Sequence, residues 1–190
     1  MIGFNTYIEG LDLSELKTYF VNHGRSTQYA KGNYFVKEGE ESRYIAYIEC
    51  GYFNYKVHNF SEQKDYLTGF AFEGEFVGDY PNCLSGKTSE VAIVAGTTCK
   101  VYQLAGEELC NLLDSDGMRD LKLAISDHLF SQVYTQYLDT YRMTTRERYK
   151  RLLLRCPEIV QSINLKDIAS YLKVTPTTIS NIRREITFGL

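Results

Sequence analysis

Between Ser26 and Leu104, short segments rich in Tyr, Val, Ile and Phe follow one another, cut by glycines at regular intervals. NYFVKEG, RYIAYIECG, YFNYKVH, DYLTGFAF, SEVAIVAG and CKVYQL are examples, and several alternate apolar with polar residues. A period of two sends alternate side chains to opposite faces, so such segments read as strands with one buried side. The whole chain has only three prolines, so nearly every strand keeps the N–H groups it needs to pair. A chain of this texture is expected to close into an antiparallel β-sandwich or roll.

The flanks have a different period. Leu13, Leu16, Phe20 and Val21 fit a short helix to His23, with Asp12 and Ser14 as caps. From Gly106 to about Tyr141, Leu121, Ala124, Ile125, Leu129, Val133, Tyr137 and Tyr141 recur at helical spacing, with no Gly or Pro after Gly117. A helix this long with a narrow apolar stripe packs on a copy of itself or lies on its own β-domain. The first reading is adopted, which makes Leu121, Ile125, Leu129, Val133 and Tyr137 the expected dimer contacts. Thr144–Arg148 reads as a hinge and a new helix start, which Cys156-Pro157-Glu158 ends.

Residues 165–186 read LKDIASYLKVTPTTISNIRREI. With Ala169 as the small residue at a helix crossing, Ile168, Leu172, Val174, Ile179 and Ile182 give two short helices one shared face. Thr175 suits the cap of the second helix and Pro176 its first turn, where no donor is needed. The outward face then carries Thr177, Thr178, Ser180, Asn181 and Arg184, with no acid before Glu185. Asn and Arg pair bidentately with bases, and Thr and Ser bond phosphates, so the face fits a DNA major groove. Lys173 stands where such a turn commonly has Gly, which predicts a positive φ or an altered turn.

Charge agrees with this reading. Residues 146–190 hold nine Lys/Arg against four Asp/Glu, a balance of +5, while the remaining residues hold 12 against 20, a balance of −8. An acidic body with a basic end points to a polyanionic partner for the end. No apolar run approaches the ~18 residues of a membrane span. The start, MIGFNTYIEGLDLSELK, has no basic region followed by an apolar core, so a cytoplasmic, membrane-free protein is expected. Cys50, Cys83, Cys99, Cys110 and Cys156 are odd in number, widely spaced and form no C-x-x-C. That argues against a disulfide framework or a local metal site, and no metal or other cofactor is expected. No nucleophile–base pair, P-loop or metal-ligand spacing supports an enzyme.

The order of roll, long helix and helix-turn-helix resembles the bacterial Crp/Fnr family of transcription regulators over nearly the whole chain. YAKGNYFVKEGEESRYIAYIECGYFNYKV resembles the family's early roll, with turns at Gly32, Gly39 and Gly51. GEFVGDYPNCLSGKTSEVAIVAGTTCKVYQL resembles its phosphate-binding cassette. The resemblance implies an α+β fold: an N-terminal antiparallel β-roll of cyclic-nucleotide-binding type (residues 1–115), a long dimerisation helix and hinge (116–143), and a C-terminal helix-turn-helix domain (144–190). It implies a homodimer on a pseudo-palindromic site in double-stranded DNA, with RNA polymerase and a small-molecule effector as further partners.

In cyclic-nucleotide-responsive members, the cassette supplies a Glu to the ribose and an Arg to the cyclic phosphate. Those positions fall here on Asp79, one methylene shorter, and on Thr88, which cannot pair bidentately with phosphate. The expected pocket, Gly78, Asp79, Tyr80, Lys87, Thr88 and Ser89, is therefore degenerate. Glu73, Glu75 and Asp79 oppose an anion there, and no tight binding of cyclic AMP is expected. An apolar or aromatic ligand, or an empty pocket, remains open.

The oxygen-sensing branch's N-terminal cysteine cluster has no counterpart before Cys50. His58 and Cys50, the available haem-ligand types, read as ordinary strand residues. The family's base readers fall on Pro176, Thr177 and Asn181. Specificity is expected from Thr177, Asn181 and Arg184, and phosphate contacts from Thr175, Thr178 and Arg183. The end, Thr187–Leu190, is too short for the family's β-hairpin wing. A different class of function, a ligand-binding or scaffold module whose C-terminal helices bind a protein, stands as the alternative.

Overall fold

The structure is a computed structural model and describes residues 4–188. Eight strands form two four-stranded antiparallel sheets. One has the order β1 (Arg25–Tyr29), β8 (Cys99–Ala105), β3 (Tyr44–Cys50), β6 (Phe76–Val77). The other has the order β2 (Tyr34–Val36), β7 (Ala92–Ala95), β4 (Tyr52–Asn59), β5 (Lys64–Phe72). The expected roll is present, and all six quoted segments contribute strands. The alternation in RYIAYIEC has its physical outcome here. Ile45, Ala46 and Ile48 are buried, and Ile48 meets Phe53, Ile93 and Val101 between the sheets.

Each outer face is covered by something different. Helix α1 (Ser14–His23) and α3 (Gly106–Leu113) cover the β8–β3 side, with Phe20, Leu104, Leu109 and Leu113 buried together. Leu13, not Asp12 or Ser14, is the N-cap of α1, though Asp12 Oδ1 accepts from the backbone N–H of Ser14 at 3.0 Å. A short helix, α2 (Tyr80–Leu84), sits in the cassette segment. Helix α4 then runs from Arg119 to Arg142.

Met143 is extended, and Thr144 opens α5 (Thr145–Arg155) with a reciprocal cap. Its hydroxyl accepts from Glu147 N–H, and the Glu147 carboxylate accepts from Thr144 N–H. The short α6 (Ile159–Ser162) follows.

The helix-turn-helix is α7 (Leu165–Tyr171) and α8 (Pro176–Phe188). Ile168, Ala169, Leu172, Ile179 and Ile182 are all buried and Val174 is partly so, which is the shared face read from the sequence. Thr175 caps α8 by accepting from Thr178 N–H at 3.2 Å. Lys173 adopts φ 57°, so the turn keeps the geometry that usually takes Gly. Val174 N–H closes it on Ala169 O at 2.9 Å.

A left-handed conformation costs a β-carbon residue about 1–2 kcal/mol. Lys173→Gly is therefore expected to stabilise the chain by about 0.5–1 kcal/mol, after the greater freedom of glycine in the unfolded chain is offset. Urea denaturation checks this. No gain would mean that the Lys173 side chain compensates its own strain.

Candidate nucleic-acid interface and cassette

Helix α8 presents Thr177, Ser180, Asn181 and Arg184 to solvent on one side, with Ile179 and Ile182 buried on the other. The Arg184 guanidinium lies 3.5 Å from Asn181 Oδ1, so the two polar side chains stand together on the exposed face. The face's acid, Glu185, is paired with Arg146 at 3.6 Å. Thr175 and Thr178 are drawn into the cap, their hydroxyls 2.9 Å apart.

Arg183 departs from expectation. It is half-buried, and its Nε donates to Tyr149 Oη at 2.7 Å. The sequence reading placed it for phosphate contact and did not foresee this bond. Its position on the helix turns it inward toward α5, where the buried Tyr149 hydroxyl accepts from it.

Of the expected pocket residues, Gly78, Asp79 and Ser89 come together around the β6–α2 turn, while Tyr80 packs outward on the α1–α3 cluster. Tyr55, on β4, lies inside the roll, and its hydroxyl accepts from Gly78 N–H at 3.1 Å and donates to Gly78 O at 3.3 Å. Burial pushes the Tyr55 phenol well above its ordinary range, so it is a neutral phenol at physiological pH. A Cβ on Gly78 would lie 2.4 Å from Ile45 Cδ1 and 2.9 Å from Tyr44 O, which excludes any larger residue. Tyr29 and Phe35 each meet Phe53 edge to face in the same interior.

Asp79 is also committed. Its Oδ2 accepts from Asn82 Nδ2 at 2.9 Å, Ser89 Oγ at 3.1 Å and Glu90 N–H at 3.0 Å. The carboxylate ties the two ends of the cassette together rather than facing a ligand. Lys87 and Thr88 are exposed, and Thr88 bridges to Glu41.

Glu75, expected to oppose an anion at the cassette, is turned away from it. Its carboxylate is buried and accepts from Asn5 and from Phe72 N–H. Its pKa is raised by burial, against those hydrogen bonds and the nearby charge of Arg155. A cleft of about 1620 Å³ lies outside the roll, between α4, the β4–β5 hairpin and α5.

The long helix has two apolar stripes. Ile125 is buried, and Leu121 and Leu129 are packed beside it on the cluster of α1 and α3. These three expected dimer contacts therefore face their own roll. Leu123, Phe130, Val133, Tyr134, Tyr137 and Tyr141 are exposed, by 50% or more each. Along Leu123–Asp127–Phe130–Tyr134–Tyr137–Tyr141 the steps alternate four and three, the spacing of a coiled-coil seam. Of the expected contacts, Val133 and Tyr137 are on the free side.

The cysteines are free, and burial pushes the Cys83 and Cys156 thiols up to about 11, out of nucleophilic range. His58 bonds Asp65 at 2.8 Å and meets Phe60 edge to face. Among the described residues no cluster has the makings of a metal site, and no helix is long and apolar enough to cross a membrane.

Comparison with known proteins places this architecture. Residues 26–116 match the cyclic nucleotide-binding domain family. FixK2 of Bradyrhizobium japonicum superimposes with a TM-score of 0.71 at 20% identity, covering 87% of this chain and 86% of that one. A protein of Eubacterium rectale classed in the Crp/Fnr family gives 0.69 at 14% identity, over 97% and 87%. The chain has the fold of the Crp/Fnr regulators. CLP of Xanthomonas campestris, a regulator responsive to cyclic di-GMP, shares this Crp/Fnr fold with a TM-score of 0.66 at 16% identity, over 94% and 93%. No curated protein matches the chain by sequence.

The Crp/Fnr fold accounts for the roll, the long helix and the free α8 face as parts of one plan. The sequence did not point to Tyr55, because nothing local distinguishes it from other strand tyrosines. The four-three alternation of the second stripe is present in the sequence, but its exposure became visible only in the fold.

Proposed function

We propose that the chain is a sequence-specific DNA-binding transcription regulator of Crp/Fnr type that acts as a homodimer on a pseudo-palindromic site. Its units would be residues 1–115, 116–143 and 144–190. The observation that carries this is the α8 face, where Thr177, Asn181 and Arg184 are exposed and the neighbouring acid is paired away. The exposed seam of α4 supplies the two-fold contact that would set two such helices one DNA turn apart. Thr175, Thr178 and Ser180 would meet phosphate, with helix α8's positive end behind them. Two commitments within the cassette support action without cyclic AMP: Tyr55 takes the Gly78 N–H, and Asp79 accepts from Asn82, Ser89 and Glu90.

Selection of bound fragments from a random duplex pool, with no ligand added, is expected to recover a two-fold-symmetric site. Cyclic AMP is expected to leave the enrichment unchanged. Asn181→Ala should relax base preference by about 1–3 kcal/mol at the position it reads, while the salt dependence stays steep. Binding that ignores sequence and is indifferent to Asn181→Ala would instead favour the scaffold reading, in which α7 and α8 meet a protein.

A further inference from the structure

We infer that the N-terminal segment Phe4–Ile8 is a latch that fastens the helix-turn-helix unit to the roll and holds α8 in one orientation. The backbone link between α4 and α5 is short, and Met143 is extended. Nothing in such a link sets the angle of the unit it joins. The angle is set by side chains, and one short segment touches all three bodies.

On the roll, Asn5 donates from its backbone to Glu75 Oε1 at 3.2 Å. It donates from its side chain to Glu75 Oε2 at 2.7 Å and to Phe70 O at 2.9 Å. On α4, Gln132 Oε1 accepts from Thr6 N–H at 2.6 Å and Tyr7 N–H at 3.0 Å, while its Nε2 donates to Asn5 Oδ1 at 3.0 Å. Toward the helix-turn-helix, the Phe4 ring is a wedge. It meets Phe70 at 5.2 Å and Tyr171 at 5.5 Å, and the Arg155 guanidinium lies 4.7 Å above its centre.

Phe4 is 1% exposed, and it joins β5 residues to α5, α7 and α8 residues in one continuous core. Direct contacts also cross the joint: Phe70 of β5 meets Tyr171 of α7 at 5.7 Å, Leu67 N–H donates to Ser170 Oγ at 3.0 Å, and Arg151 pairs with Asp139. Release of the latch therefore loosens the unit rather than freeing it. A loosened unit must be re-ordered on DNA, and that lost preorganisation lowers affinity.

The test is hydrogen exchange on the full chain carrying Phe4→Ala and Asn5→Ala. Amides of α5, α7 and α8 are expected to exchange at least ~10-fold faster, with those of β3 and β8 unchanged, because a latch opens one unit and not the other. Affinity for the selected duplex is expected to fall about 5- to 50-fold, within the usual range of coupling between sites.

Unchanged exchange in the helices overturns the latch. If β3 and β8 also loosen, Gln132→Ala decides from the α4 side with Phe4 in place, and unchanged helix exchange there overturns it too. The affinity arm rests on the DNA-binding reading and the exchange arm does not. A wild-type chain that binds no DNA would end that reading and leave the latch standing or falling on exchange alone.

Discussion

Phe130→Glu combined with Tyr137→Glu is expected to turn a dimer into a monomer and to lower DNA affinity by about 10²–10⁴-fold, the range lost when a bivalent contact becomes a single one. Both side chains are exposed in one protomer, by 69% and 57%, so the substitutions remove nothing from its own core. Phe130 stacks on Tyr134 with ring centres 5.7 Å apart and an interplanar angle of 7°. Tyr137 meets Tyr141 edge to face at 5.2 Å, and Tyr141 Oη donates to Tyr137 Oη at 3.3 Å.

In the proposed dimer a second copy would cover these rings, which already pack on one another along the seam. Burying each contributes about 1.5–3 kcal/mol, and the two-fold axis doubles the set. Glutamate at two seam positions reverses this, since each carboxylate would face its own copy across the axis. Sedimentation analysis of the variant reads the oligomeric state, and titration with the selected duplex reads the affinity. A variant that stays dimeric with undiminished affinity would place the two-fold contact elsewhere.

The second large effect concerns the joint between α5 and α8. Tyr149→Ala is expected to destabilise the C-terminal helices by about 3–5 kcal/mol, the range for deleting a buried aromatic ring. Tyr149 is 1% exposed, and its hydroxyl is the partner of Arg183 Nε. Against a typical total stability of about 5–15 kcal/mol, such a loss removes a large share. Tyr149→Phe keeps the ring and removes only the acceptor, so it should cost about 1–3 kcal/mol. Urea denaturation of the two variants separates ring from hydroxyl. Equal losses would put the whole effect on the bond to Arg183 and none on packing.

The roll and the helix-turn-helix were legible because their signals are local. RYIAYIECG alternates, and its apolar members are the buried ones. LKDIASYLKVTPTTISNI places its apolar residues on one face of two helices, and Lys173 takes the left-handed turn that the missing glycine implied. What went astray lay in choices between equally good faces. Leu121, Ile125 and Leu129 make an apolar stripe, but so do Leu123, Phe130 and Tyr134. The period alone does not say which stripe meets the roll and which meets another molecule. Glu75 and Asp79 likewise read as free acids in sequence, and Arg183 as a free cation.

The sequence by itself determined the element order, the closed antiparallel roll, the paired short helices and the polar face of α8. Each of these follows from spacing within a few turns or one strand. Only the tertiary structure decided what holds the Gly78 turn, which stripe of α4 is free, and what Arg183 and Glu75 bind. Tyr55 and Gly78, Asn5 and Glu75, and Tyr149 and Arg183 are far apart in the chain. A hydrogen bond between distant residues leaves no period to read, because its geometry exists only once the backbone has brought the partners together.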